Sequence, residues 1–252
     1  APLFYSAGET GGKPWEPKNY DGKFEGPMSV RRALAKSKNM VSIRVLQLVG
    51  TQSAQEWVTR FGFDADKHPP YLTMALGAGS VTPWQQLTGY AVFANGGYRI
   101  QPYIVKQILD DKGNVLAEAQ PVTAGDENLR VIDPRNAYLM DSMMHDVVRR
   151  GTATRALQLK RGDLAGKTGT TNDFVDAWFC GYQPTLVGVA WIGFDQPKKL
   201  GNGETGGSAA LPIWIGYMDK ALKGVPESFM ETPEGLVAVK IPAEGAGDAA
   251  SK

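Results

Sequence analysis

The chain has 252 residues, a length that suits one large domain or two small ones and can bury a core of its own. Its 27 Lys and Arg against 26 Asp and Glu give a net charge of +1, so no basic excess is available to neutralise nucleic-acid phosphates. A single cysteine and two histidines exclude an internal disulfide and a cysteine-based metal cluster, and we expect neither a metal nor a cofactor.

Helical signals alternate with Gly and Pro breaks through the first 150 residues. Residues 1–25 combine Gly, Pro and aromatic side chains and predict an extended loop. Thr82, Pro83 and Gln85 form a capping box at a helix start, and Asp133 gives a second N-cap. The predicted helices span 27–36, 40–48, 51–62, 82–95 and 133–150, and a predicted β-hairpin spans 98–119.

The last third of the chain predicts strands. Three runs, 164–171, 176–182 and 185–194, have strand character, and the short turn between the second and third requires antiparallel pairing. The third run is apolar without alternation, which predicts a mid-sheet strand buried on both faces. A covering helix is predicted over 209–222, and the tail 242–252 has no predicted structure. This order indicates a mixed α/β fold in which helices cover an antiparallel sheet.

Two short motifs are candidates for chemistry. Ser37-Lys38-Asn39 lies at a helix junction, and Lys167-Thr168-Gly169-Thr170-Thr171 lies on the first late strand. Alone, the first is typical of a helix cap and the second of a glycine bulge beside a solvated lysine. In this order, however, they match the second and third elements of the set Ser-x-x-Lys, Ser-x-Asn and Lys-Thr-Gly.

The residues around the second motif make the match more specific. The runs 165–172, 176–179 and 191–195, together with Trp15-x-Pro-x-Asn19 and Gly151-Thr152-Ala153, resemble the transpeptidase domain of bifunctional class A penicillin-binding proteins. The resemblance extends over about residues 13–235. It implies a serine β-lactamase/transpeptidase-like fold, in which 1–235 form the C-terminal portion of the transpeptidase domain and 236–252 form a tail.

The resemblance also implies a role for each motif residue. The substrate is a peptide ending in D-Ala-D-Ala, whose carboxylate needs a cation and hydroxyl donors. Lys167 and Thr170 would supply them, the Thr170 N–H would be an oxyanion donor, and Gly169 would leave the strand open to the substrate backbone. Ser37 would belong to a proton relay and Asn39 would bind the substrate backbone. The expected catalytic residues are Ser37, Asn39, Lys167 and Thr170, and the expected substrate-binding residues are Thr168, Gly169 and Thr171.

One element of the family pattern is absent from these residues. No serine of the chain is followed three positions later by lysine, so the family's nucleophile motif is missing. We expect it upstream of Ala1, with a fold that is incomplete at its N-terminal side and a chain that is inactive alone. The family implies a parent protein with a glycosyltransferase domain, anchored by a segment outside this chain, whose catalytic domain lies on the periplasmic face of the bacterial inner membrane.

Three functions remain open at this point. The first is a peptidoglycan transpeptidase that cross-links stem peptides and is acylated by β-lactams. The second is a D-Ala-D-Ala carboxypeptidase or β-lactamase, which uses water as the acceptor. The third is a non-catalytic peptidoglycan-binding module of the same fold. Expected partners are stem peptides, β-lactams and other cell-wall-synthesis proteins, with no nucleic acid.

Overall fold

A computed structural model of the chain describes residues 1–10 and 12–240. The predicted mixed α/β fold is confirmed, with helices packed on an antiparallel sheet. The helices are α1 (Ala7–Thr10), α2 (Val30–Ala35), α3 (Asn39–Val49), α4 (Thr51–Thr59), α5 (Pro83–Ala94), α6 (Pro134–Arg150) and α7 (Leu211–Ala221). The strands are β1 (Gln107–Leu109), β2 (Val115–Glu118), β3 (Ala165–Thr170), β4 (Ala177–Gln183) and β5 (Leu186–Ile192).

The late strands form a three-stranded antiparallel sheet in the order β3-β4-β5. Lys167 on β3 lies opposite Cys180 on β4, which lies opposite Val189 on β5. The prediction that the third run lies in mid-sheet is wrong, because β4 is the central strand of the described sheet. Helices α5 and α7 both contact β5. The predicted burial on both faces is also wrong, since Ala190 is buried but the other β5 residues are partly buried or, like Trp191, exposed.

Each face of this sheet packs against helices. On one face, Trp214 and Met218 of α7 pack with Phe179 of β4 in the largest cluster of buried side chains. On the opposite face, Tyr182 of β4 packs with Met144 of α6. Helix α2 contacts both α6 and α3, so the junction between α2 and α3 is fixed to the same face as α6.

Several predicted boundaries shift for local reasons. The first predicted helix begins at Val30 instead of Pro27, because the Ser29 side chain accepts from the Arg32 N–H as its N-cap. The last begins at Leu211, after a π-helical turn over Gly206–Ala210. The loop at 1–25 contains α1, which the sequence analysis missed. The hairpin strands are shorter than predicted, and most of the predicted tail, 241–252, lies outside the described residues.

Candidate active site

The two motifs line one cleft. Its volume is about 710 Å³, and it lies between β3 and the junction of α2 with α3. The cleft is lined by every residue that the sequence analysis named as a site residue: Ser37, Asn39, Lys167, Thr168, Gly169, Thr170 and Thr171. Residues as distant in the sequence as Ser37 and Thr171 therefore share one surface.

Ser37 occupies the turn that separates α2 from α3. Its φ of 53° lies in the left-handed region, which is uncommon for a residue with a side chain and which tertiary contacts must hold in place. The Lys167 Nζ donates to the Ser37 Oγ at 2.8 Å, inside the limit of about 10 Å that a shared substrate or a short relay requires. The structure thus joins the two motifs by a direct hydrogen bond.

Lys38 anchors this turn to the preceding loop through two ion pairs. Its side chain is buried, and its ammonium forms ion pairs with Asp21 at 2.6 Å and with Glu25 at 2.7 Å. Burial alone would lower the pKa of Lys38, but the two carboxylates outweigh this effect and raise it. Lys38 therefore pairs with these two carboxylates and not with Ser37. Its role here is to anchor the loop that contains Asp21 and Glu25 against the α2–α3 turn.

Asn39 is held at the start of α3 by the same loop. Its Nδ2 donates to the Lys18 carbonyl oxygen at 2.8 Å, and the neighbouring Met40 N–H donates to the Asn19 Oδ1 at 3.1 Å. An amide nitrogen carries two hydrogens, so one Asn39 N–H and the Asn39 Oδ1 can still bind a peptide in the cleft. The loop therefore orients the amide without using all of its hydrogen-bonding capacity.

Burial and hydrogen bonding together affect the charge of Lys167. Burial lowers the pKa of its ammonium to about 8, and the Thr168 carbonyl oxygen accepts a second hydrogen bond from it at 2.9 Å. Burial also raises the pKa of the adjacent Cys180 thiol to about 12, so that group is neutral at pH 7. An ammonium in this position can exchange a proton with Ser37 near neutral pH.

Two contacts fix the hydroxyl groups of β3, and both involve residues that the sequence analysis did not assign to the site. Thr168 Oγ1 and Thr152 Oγ1 lie 2.7 Å apart in a hydrogen bond. Thr170 Oγ1 accepts from the Gly206 N–H at 3.0 Å, which leaves its own hydrogen free to donate into the cleft. Two sequence features could have indicated these residues. They are the run Gly151-Thr152-Ala153 for Thr152 and the Gly-rich loop after β5 for Gly206.

The other predicted positions have structural contacts of their own. A Cβ at Gly169 would lie 3.3 Å from the Trp178 Cβ, so cross-strand packing also favours glycine there. The Thr171 Oγ1 accepts from the Asp176 N–H at 2.7 Å and closes the turn after β3. Asp176 Oδ1 accepts from the Trp191 Nε1 at 2.9 Å, and both of these residues line the cleft with Trp178. These bonds stabilise the turn whether or not a substrate is bound.

Across 1–10 and 12–240 no three His, Cys, Asp or Glu side chains are grouped as a metal site would require. In the same ranges no helix has the length and apolar character needed to cross a membrane.

Comparison with known proteins identifies the family. The profile described as "Penicillin binding protein transpeptidase domain" matches residues 3–214. The chain is 48% identical to penicillin-binding protein 1A of Neisseria flavescens over 237 residues, which cover 94% of this chain and 30% of that protein. Among solved structures, penicillin-binding protein 1A of Haemophilus influenzae has a TM-score of 0.87 and 35% identity, covering 93% of this chain and 40% of that chain.

A more distant structure is PonA1 of Mycobacterium tuberculosis in complex with penicillin V, with a TM-score of 0.75 and 25% identity, covering 96% of this chain and 68% of that chain. The chain spans about a third of the length of the curated relative from Neisseria. The family profile, in contrast, matches most of the chain. This chain therefore belongs to the penicillin-binding protein transpeptidase family.

Proposed function

We propose that this chain forms the substrate-binding part of a peptidoglycan D-Ala-D-Ala transpeptidase, which cross-links stem peptides and is acylated by β-lactams. The observation that carries the proposal is the bond between Lys167 Nζ and Ser37 Oγ, because it makes one polar site from a helix junction and a strand edge. The similarity to a solved structure described in complex with penicillin V supports β-lactams as ligands of the same site.

The strand β3 would bind the donor peptide. Its outer edge has no partner strand in the described sheet, so a peptide can pair with its backbone. The terminal carboxylate would lie near Lys167 and would accept from the hydroxyls of Thr168 and Thr170. The Thr170 N–H would stabilise the oxyanion, and Asn39 would bind the peptide backbone from the opposite wall.

Ser37 and Lys167 would move the proton. When the acyl-enzyme forms, the bond between the reacting carbonyl carbon and the leaving D-Ala nitrogen breaks, and that nitrogen needs a proton. The Ser37 hydroxyl can donate it and take another from the Lys167 ammonium, whose pKa of about 8 permits the exchange. In the second half-reaction the amine of another stem peptide would attack the acyl carbon, the ester bond to the serine oxygen would break, and the proton that the amine loses would pass back through Ser37 toward Lys167.

The nucleophile would come from a segment outside these 252 residues. The chain contains no Ser-x-x-Lys sequence, and Met40, three residues after Ser37, offers no base. We therefore propose that 1–235 are the C-terminal portion of the transpeptidase domain and 236–252 a tail, and that the chain alone is inactive. The parent protein would carry a glycosyltransferase domain and a membrane anchor. Its transpeptidase domain would lie on the periplasmic face of the inner membrane. The parent protein would also bind other cell-wall-synthesis proteins.

The test uses the complete parent protein and the rate of acylation by a fluorescent penicillin. Lys167→Ala should slow acylation by about 10- to 100-fold, since a hydrogen bond to a charged group contributes ~1.5–3 kcal/mol. Lys167→Arg should restore only part of the rate, because a guanidinium is planar and wider than an ammonium. The exposed Lys112→Ala is the matched control and should not change the rate. An unchanged rate in Lys167→Ala would remove this residue from the site.

The same protein distinguishes the alternative functions. With a D-Ala-D-Ala peptide and an added amino-acid amine, a transpeptidase joins the peptide to the amine and releases D-Ala. A carboxypeptidase or β-lactamase transfers the acyl group to water, so it forms only the hydrolysed product and no adduct with the amine. A non-catalytic module is not acylated at all, and that result would refute the proposed function.

A further inference from the structure

A second cavity lies on the other side of α5 from the cleft. Its volume is about 540 Å³, within the range of roughly 300–1,000 Å³ that is typical of small-molecule sites. Pro83 and Gln86 line the cleft, whereas Trp84 and Thr88 line the second cavity. Because each residue of an α-helix turns by about 100°, these two pairs lie on opposite sides of α5. The second cavity is therefore separate from the cleft that contains Lys167.

Much of the wall of this cavity is apolar, and its largest side chain is Trp84. The Trp84 side chain is 43% exposed. Ile100, Leu129 and Val131 line the same cavity. A ligand that covers the indole ring would remove apolar surface from water, which favours binding.

Arg99 gives the cavity its charge. It is the single charged residue among the described residues of the lining, which includes no Asp or Glu. Its backbone N–H donates to the Leu129 carbonyl oxygen at 2.8 Å, and a Cβ at Gly62 would lie 3.2 Å from its Nη2, so the guanidinium packs against the Gly62 backbone. No ion pair or hydrogen bond to this guanidinium occurs within the described ranges, whereas Arg130 pairs with Glu127 at 2.6 Å. Arg99 can therefore offer a fork of two N–H donors to an anion.

Amide groups lie in the same lining. The side-chain amide of Gln101 has no hydrogen-bond partner in the part of the chain that the structure describes. The Asn128 Nδ2 donates to the Asp126 Oδ1 at 2.9 Å, which leaves the Asn128 Oδ1 as an acceptor. A ligand amide could use both groups. The cavity thus combines an aromatic surface, one cation and amide partners.

We propose that this cavity binds an N-acyl amino acid, or the last residue of a peptide, that has a free carboxylate and a large apolar side chain. The carboxylate pairs with Arg99, the side chain lies on Trp84, and the acyl amide bonds to Gln101. The absence of acidic groups from the described lining disfavours amines, and one cation is too few for a ligand with several phosphates. The inference does not use the proposed function, since none of these three residues lines the cleft.

The test measures dissociation constants for the 252-residue chain by ligand-detected NMR with three matched probes. They are N-acetylphenylalanine, its uncharged analogue N-acetylphenylalaninamide, and 3-phenylpropanoate, which keeps the ring and the carboxylate but lacks the amide. We expect N-acetylphenylalanine to bind about three- to tenfold more tightly than the uncharged analogue, the size of one partly exposed charge-assisted pair. It should bind about threefold more tightly than 3-phenylpropanoate, since one amide hydrogen bond is lost.

Variants separate the charge from the ring. Arg99→Gln should reduce the affinity ratio of the charged to the uncharged probe to about one, and Arg99→Lys should keep part of it. Trp84→Ala should weaken the binding of both probes by about three- to tenfold and leave their ratio unchanged. The controls are Arg155→Gln and Trp57→Ala. Arg155 is exposed, Trp57 is 43% exposed like Trp84, and neither lines a cavity described above, so both variants should bind as the unmodified chain does.

Each result supports or overturns the inference. Undetectable binding of N-acetylphenylalanine, equal affinity for the charged and uncharged probes, or a ratio that survives Arg99→Gln would refute the site. Equal or tighter binding of 3-phenylpropanoate would refute the acyl amino acid as its ligand. Lys167→Ala should not change the affinity, and loss of binding in that variant alone would place the probe in the cleft instead. Circular dichroism checks the fold of each variant, and if Arg99→Gln does not fold, the probe ratio in the unmodified chain and Trp84→Ala decide the matter.

Discussion

Replacing Lys167 with Met should stabilise the folded chain at pH 7, although it removes a residue that we place at the centre of the site. Burial lowers the pKa of this ammonium from 10.5 to about 8. A pKa difference of this size corresponds to a free-energy penalty of roughly 3 kcal/mol for keeping the lysine charged in the folded state. The hydrogen bonds to Ser37 Oγ and Thr168 O offset part of it. We expect a net gain of ~1–3 kcal/mol for Lys167→Met, since each such bond contributes about 1 kcal/mol.

The stability gained by Lys167→Met should decrease as the pH rises. Below about pH 8 both the folded and the unfolded chain bind this proton, so the full penalty is present. Between about pH 8 and 10.5 the folded state loses the proton first, and the stability of the unmodified chain rises with pH. The advantage of Lys167→Met should therefore shrink over this range and vanish above it.

Urea unfolding at pH 7, 9 and 10.5 measures the difference directly. The matched control is Lys112→Met in the exposed turn of the hairpin, which should show no comparable dependence on pH. A destabilised Lys167→Met chain at pH 7, or a stability difference that is constant from pH 7 to pH 10.5, would refute the claim that this lysine is held in an unfavourable environment. Stabilisation by loss of a site residue is the signature of strain retained for function.

Other predictions concern the framework of the site. Gly206→Ala should unfold or severely destabilise the chain in a thermal melt, because the added Cβ would lie 2.3 Å from the Trp178 carbonyl oxygen. Gly207→Ala is the matched control and should fold, because its Cβ would have a nearest contact of 3.2 Å. Equal melting temperatures for the two variants would contradict this account. Thr82→Ala removes the N-cap of α5 and should cost ~1 kcal/mol in urea unfolding, whereas a change below about 0.3 kcal/mol would contradict the cap. Trp214→Ala opens the core beneath the sheet and should cost ~3–5 kcal/mol, and a cost under about 1 kcal/mol would show that α7 does not depend on this ring.

Local sequence chemistry predicts some elements well. The capping box at Thr82 and the N-cap at Asp133 locate the starts of α5 and α6, because a cap and a first-turn proline act within four residues. The helix start at Pro27 was wrong because Ser29 provides the better cap. The placement of the last apolar run in mid-sheet was also wrong, because β5 lies at the side of the described sheet, where α5 and α7 contact it without burying most of its side chains.

The arrangement of the site was harder to predict from short sequence patterns. Nothing within either motif indicates that Ser37 meets Lys167, and only the resemblance to a family placed them together. Thr152 and Gly206 were missed because their contacts with β3 depend on how distant loops fold back.

The most direct test of the central claim is to find which residue a penicillin acylates. The complete parent protein is incubated with a labelled penicillin, digested, and its adduct located by mass spectrometry, with the 252-residue chain treated in parallel. We predict that the adduct lies on a serine outside these residues, that it forms slowly in Lys167→Ala, and that the isolated chain is not labelled. A stable adduct on Ser37, in either protein, would contradict the claim that this chain binds the substrate and does not carry the nucleophile.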